Sequence, residues 1–139
     1  MNIQEIILDQ IIVCNDKALD MYDYHVGIIL PSRDALEKIK YSNCLTALLS
    51  ITNVVKPYHY TKDGFFILTP NGNQITISSM DRMNEIRSGM FNKMFVSNSI
   101  DKTDIDHLRC FIHRLYRKDF NNSENDYPLT PIEILPIEI

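Results

Sequence analysis

The segment YHYTKDGFFILTPNGNQITISS (Tyr58–Ser79) decides the fold class of this 139-residue chain. Asn71-Gly72 is a favoured pair for a tight hairpin turn, because both central residues of a type I′ turn need positive φ. Phe65–Thr69 and Gln74–Ser78 flank it with aromatic and β-branched residues, the composition of paired strands. Lys62-Asp63-Gly64 marks an earlier turn that leads back to a strand near 57–61. The segment therefore predicts an antiparallel hairpin over 65–78 with one more strand beside it.

Upstream, YHVGIILPS (Tyr24–Ser32) is a short β-rich run stopped by Pro31, and Ser32 stands where a helix N-cap belongs. A helix is predicted from Arg33. It turns almost wholly apolar after Tyr41 and ends before Pro57, because the residue preceding a proline resists helical geometry. At the N-terminus, Asn2 and Glu5 are spaced as a capping box. Ile3, Ile7, Ile11 and Cys14 then recur at helical intervals, with Ile6 and Ala18 broadening the stripe, so a helix is predicted over about 3–20.

Downstream, MDRMNEIRSGMFNKMF (Met80–Phe95) is helical by spacing, with Ser79 as its cap and Met80, Met83, Met90, Phe91 and Met94 on one face. Flexible thioethers suit either a core or an adaptable binding groove. A third helix is predicted from Thr103, with Asp106 completing a capping box, to about Lys118. Ile105, Leu108, Ile112, Leu115 and Tyr116 share its apolar side.

These elements predict an α+β class: a small antiparallel or mixed sheet of about four strands, with helices on one face. If the tail adds a strand, a split β-α-β order with an extra N-terminal helix follows. Residues 1–118 form the expected domain, 119–128 a polar linker, and 129–139 an extended edge strand or docking tail.

That tail, PLTPIEILPIEI, repeats Pro-Ile-Glu-Ile. Each copy puts two isoleucines on one face and a glutamate on the other, the period of a half-buried strand. Pro131 and Pro136 lack amide donors and confine the segment to a sheet edge or an extended docking segment. Exposed isoleucines on a free strand invite aggregation, so the tail is expected to cover something. Its own sheet, a second copy of the chain and a different protein are the three candidates.

Composition narrows the function classes. The chain is 45% hydrophobic and 23% charged with a net charge of −4, which suits a soluble globular domain and argues against wholesale wrapping of nucleic acid. Heavy use of isoleucine and asparagine fits an AT-rich coding sequence, as in a phage, a large DNA virus or a low-GC bacterium. No run is long and apolar enough for a membrane span, and the N-terminal acids do not fit a signal peptide. A reducing cytoplasm, or a virion, is the expected compartment. The three cysteines, Cys14, Cys44 and Cys110, form no CxxC pair and predict neither a disulfide framework nor a zinc site.

Catalytic signatures are missing. The four glycines include no pair spaced for a phosphate-binding loop, and Ser78-Ser79 lacks the glycines of a nucleophile elbow. His107, Cys110 and His113 drift around their helix, so at most two of them share a direction. No cofactor and no metal is expected.

The expected function is a non-enzymatic interaction protein: an accessory, inhibitor or assembly component binding another protein or a second copy of itself. Its expected contacts are a basic helix face (Arg109, His113, Arg114, Arg117) and the isoleucine-rich tail (Ile132, Ile134, Ile137, Ile139). The alternative is a nucleic-acid-binding regulator that lays helix 103–118 along phosphates. A third class, an enzyme assembled from distant polar residues, would use His25, His59 and Tyr60.

Overall fold

A computed structural model of the chain describes residues 2–16, 24–40, 56–61, 64–68, 73–82, 91–111 and 131–138. Among the described residues, six strands form one mixed sheet: β1 (His25–Leu30), β2 (Lys56–Thr61), β3 (Gly64–Leu68), β4 (Gln74–Ser79), β5 (Lys93–Ser97) and β6 (Ile132–Leu135). Their order across the sheet is β2-β3-β4-β1-β5-β6. β1 lies between β4 and β5, parallel to both, and β6 continues the parallel set outside β5. β2 and β3 add the antiparallel wing expected from the hairpin segment.

The α+β class, the mixed sheet and the 65–78 hairpin agree with the sequence. Leu68 pairs with Gln74 at the end of the hairpin, and the expected Asn71-Gly72 turn lies outside the described residues. β2 fits its edge position, since it holds Pro57 and its register slips between Lys56 and His59.

Three α-helices are described: α1 (Ile3–Asp16), α2 (Arg33–Lys40) and α3 (Lys102–Phe111), together with a single 3-10 turn over Met80–Arg82. Alternation along β1 shows how they are placed. Val26, Ile28 and Leu30 join Ile75, Ile77, Ile67 and Phe95 in a core covered by α1 and α2. Ile29 points the other way, into a second core with Met94, Val96, Ile105 and Leu108, where α3 packs. Helices therefore cover both faces, against the one-face expectation. The reason is β1 itself, a continuous apolar run with side chains to bury on each side.

The largest correction concerns Met80–Phe95. The expected helix is replaced, where described, by the 3-10 turn at its start and by β5 at its end; residues 83–90 lie outside the description. KMFVS is apolar at consecutive positions, and a short apolar run does not reveal whether its period is 3.6 or 2. A place between β1 and β6, with both faces covered, settles it as a strand. Met80, Phe91 and Met94 do share one cluster, as core lining of the second face. Ser79 is the last residue of β4, not a helix cap, and its hydroxyl donates to Asp81.

β5 and the tail strand β6 bring the about four expected strands to six among the described residues, and four parallel neighbours replace the split β-α-β order. Local caps are mostly as read. The Asn2 Oδ1 accepts from the Gln4 amide at 2.8 Å, and the Ser32 Oγ from the Ala35 amide at 3.2 Å. α3 starts earlier than predicted: the Ile105 amide donates to the Asp101 carbonyl at 3.1 Å, so Asp101 and not Thr103 is the N-cap. The ends expected for the three helices, near 20, before 57 and near 118, fall outside the described residues.

Two buried asparagines register the central strands. Asn73, 1% exposed, accepts from the Tyr24 amide at 2.9 Å and donates to the Cys14 carbonyl at 2.7 Å. Asn92, on the other side of β1, accepts from the His25 amide at 2.9 Å. β1 is thus held at its start by one amide side chain from each neighbour. Between them, Gly27 lies under the Phe91 ring, where a Cβ would stand 3.0 Å from two ring carbons.

Candidate functional site: the closing strand

β6 owes its placement to the Pro-Ile-Glu-Ile repeat. Pairing of Met94 with Ile132, Phe95 with Glu133, Val96 with Ile134 and Ser97 with Leu135 alternates the side chains across the two faces. Ile132 packs on the second core, beside α3, whereas Leu135 and Ile137 pack on the first. Ile134, on the α3 side of the sheet, remains 46% exposed.

The backbone of the tail is fastened at both ends. The Met94 amide donates to the Pro131 carbonyl at 3.0 Å and the Asn98 amide to the Leu135 carbonyl at 2.9 Å. Beyond the strand, Glu138 bridges to Asn2, and its carbonyl accepts from the Ile3 amide at 2.8 Å. That amide is one of the donors a helix leaves unmet in its first turn, so the tail also caps α1. Of the three candidate coverings for the tail, its own sheet is the one observed.

In a parallel ladder alternate residues aim both backbone groups at one neighbour. Pro131, Glu133 and Leu135 face β5, so Ile132 and Ile134 aim theirs outward. The next outward position is Pro136, which has no donor. Among the described residues no strand pairs with this outer edge. Its usable length is short, two N–H groups flanked by a proline, a common way of limiting uncontrolled pairing.

Charge at the strand is local. Lys93 reaches Glu133 at 3.2 Å across β5 and β6, and its ammonium also lies 4.9 Å above the Phe95 ring. Both ionic groups are partly exposed, so the pair contributes about 0–1 kcal/mol and matters more for pattern than for stability.

The sequence-predicted contacts divide as follows. Ile132 and Ile137 are half-buried against the chain's own cores, which removes most of their surface from a partner; Ile134 is exposed. Arg109 is exposed on α3, whose Ile105 and Leu108 pack in the same cluster as Ile132, so α3 lies on the face of the sheet that carries the Ile132 side chain. His113, Arg114, Arg117 and Ile139 lie outside the described residues. On the described turns of α3, Arg109 and Lys102 are interspersed with Asp101, Asp104 and Asp106.

The polar residues considered for an enzyme fall on two strands, β1 and β2, that are not neighbours in the sheet. The His25 ring bonds the Thr76 hydroxyl at 2.6 Å and lies 4.3 Å from the Phe91 ring. His59 and Tyr60 are on β2, with β3 and β4 intervening, and their side chains lie outside the described residues. Cys14 is buried beneath α1, where desolvation pushes its thiol up to about 12, the wrong direction for a nucleophile. Among the described residues no group of three or more His, Cys, Asp or Glu is placed to hold a metal ion. No described helix is long and apolar enough to cross a membrane.

Sequence reading missed Asn73, Asn92 and Gly27. The two asparagines sit immediately before or near strand starts, where they pass for turn residues. Nothing local distinguishes a turn asparagine from one that reaches across to the next strand. Compared with protein-family models, curated proteins and solved structures, the chain matches none.

Proposed function

We propose that this protein is a non-enzymatic docking component, an accessory, inhibitor or assembly protein, and that the outer edge of β6 is its contact surface. One observation carries the reading. The strand is secured to its own sheet on the inner side, yet keeps a large aliphatic side chain, Ile134, 46% exposed at the sheet boundary. Strand addition uses that arrangement: outward backbone groups supply affinity, and alternate side chains supply specificity. Exposed Arg109 on the same side of the sheet adds a cation suited to an acidic rim.

The interspersed acids on the described turns of α3 give the nucleic-acid alternative no separate support. Photocrosslinking in cells that express the protein tests the docking reading. A photoreactive phenylalanine analogue replaces Ile134 in one sample and Ile12 in another. Ile12, 53% exposed on α1, serves as the control position. A defined protein adduct at 134 that is missing at 12 is the expected result. The same adducts at both positions, or none at 134, would sink the reading.

A further inference from the structure

Resting on that docking reading, we infer that the occupant of the β6 edge is a second copy of the same strand, paired antiparallel about a two-fold axis at Glu133. The edge is self-complementary in that register. Ile132 and Ile134 aim their backbone groups outward, so Ile132 of one copy faces Ile134 of the other, and the reverse. Two hydrogen-bonded pairs form, and every outward N–H of the strand is used. Shifting the axis to Ile134 would set Ile132 against Pro136, which has no donor, so proline selects against that register.

Side chains agree with the backbone. Both isoleucines lie on the α3 side, so the axis brings the exposed Ile134 against the partly buried Ile132 of the other copy. On the opposite side, Glu133 meets its own counterpart across a non-hydrogen-bonded pair, where like charges normally repel. Here each carboxylate has Lys93 of its own chain at 3.2 Å, so the two acids that meet at the axis are flanked by a base on either side, which offsets their repulsion. A closed two-fold pair also consumes both edges and ends the assembly, whereas a head-to-tail pairing would propagate.

Sedimentation velocity on the full chain across a concentration series tests this, alongside Ile134→Lys and Lys93→Ala. The wild type is expected to move from 16.2 kDa towards twice that mass as concentration rises. Ile134→Lys should remain monomeric with an unchanged circular dichroism spectrum. Lys93→Ala should weaken pairing at least several-fold, and adding Glu133→Gln should restore it. Glu133→Cys should form an intermolecular disulfide under mild oxidation, whereas Glu138→Cys, away from the axis, should not. A wild-type chain that stays monomeric up to about 1 mM overturns the self-pairing. If it does so while the probe at 134 captures a different protein, docking through β6 stands and only the identity of the occupant is wrong. A monomer with no adduct at 134 removes both.

Discussion

Replacing Asn73 by Asp should convert a pH-independent brace into a pH-sensitive one. Asn73 is 1% exposed and bridges two elements: its oxygen takes the Tyr24 amide, and its nitrogen gives to the Cys14 carbonyl at 2.7 Å. Asn73→Ala removes both bonds and leaves a buried donor and a buried acceptor, at about 1–3 kcal/mol for each group left unmet. A net loss of about 2–4 kcal/mol, flat with pH, is expected for that variant. Asn73→Asp keeps the shape. A protonated carboxyl still donates to the Cys14 carbonyl, whereas a carboxylate sets a negative charge against it in a buried site. Desolvation and that repulsion both raise the folded-state pKa above the unfolded value of about 3.9. A raised carboxyl pKa means that the native state holds its proton longer than the unfolded chain does. Stability therefore falls as pH rises above about 4, by up to about 1.4 kcal/mol per unit, until the native carboxyl ionises. Urea titrations at several pH values between 4 and 8, each referenced to wild type, measure it. At pH 7 the Asp variant should be less stable than wild type by about 3 kcal/mol or more, and close to it at pH 4. Equal stability of Asn and Asp at every pH would refute the bridge, because no carboxylate could then be facing the carbonyl.

Three further outcomes follow from named contacts. Gly27→Ala puts a Cβ 3.0 Å from two Phe91 ring carbons and 3.1 Å from the Met94 methyl. The methyl can move, but the ring is backed by His25, so overpacking of about 1–3 kcal/mol should exceed the gain of about 0.5–1 from losing glycine's freedom. Denaturant midpoints should show a net loss of about 1 kcal/mol that shrinks in a Phe91→Leu background. Cys14, with its thiol pushed up to about 12 by burial, should resist iodoacetamide at pH 8 and react once urea unfolds the chain. Peptide mapping by mass spectrometry reads that site apart from Cys44 and Cys110; modification of native protein would refute the burial. Ending the chain after Thr130 should give aggregated or unfolded protein, since it uncovers the outer side of β5 and removes the carbonyl that caps Ile3. A monomeric, folded product in light scattering would show that β6 is dispensable.

Pattern alone was enough for the elements whose burial is one-sided. The Ile3, Ile7, Ile11 and Cys14 stripe is buried along α1, the Ser32 cap starts α2, and β3 and β4 pair where the 58–79 segment places them. Propensity and burial ask for the same structure there, so a local reading suffices. The tail's strand character was equally legible, because Pro-Ile-Glu-Ile alternates and its prolines allow only an edge. Tertiary structure decided what the pattern left degenerate. KMFVS is apolar at three consecutive positions, a run that fits either period, and only a slot between β1 and β6 makes it a strand. The tail's destination also depended on a neighbour. Whether its isoleucines cover their own sheet or another depends on an edge offered by β5 and an α1 amide offered at Ile3, contacts more than thirty residues away in sequence. The same holds for Asn73, which looks like a turn residue until the carbonyl of Cys14 comes within reach. Periodicity reports how many sides of a segment are buried; what lies on each side is set by the rest of the chain.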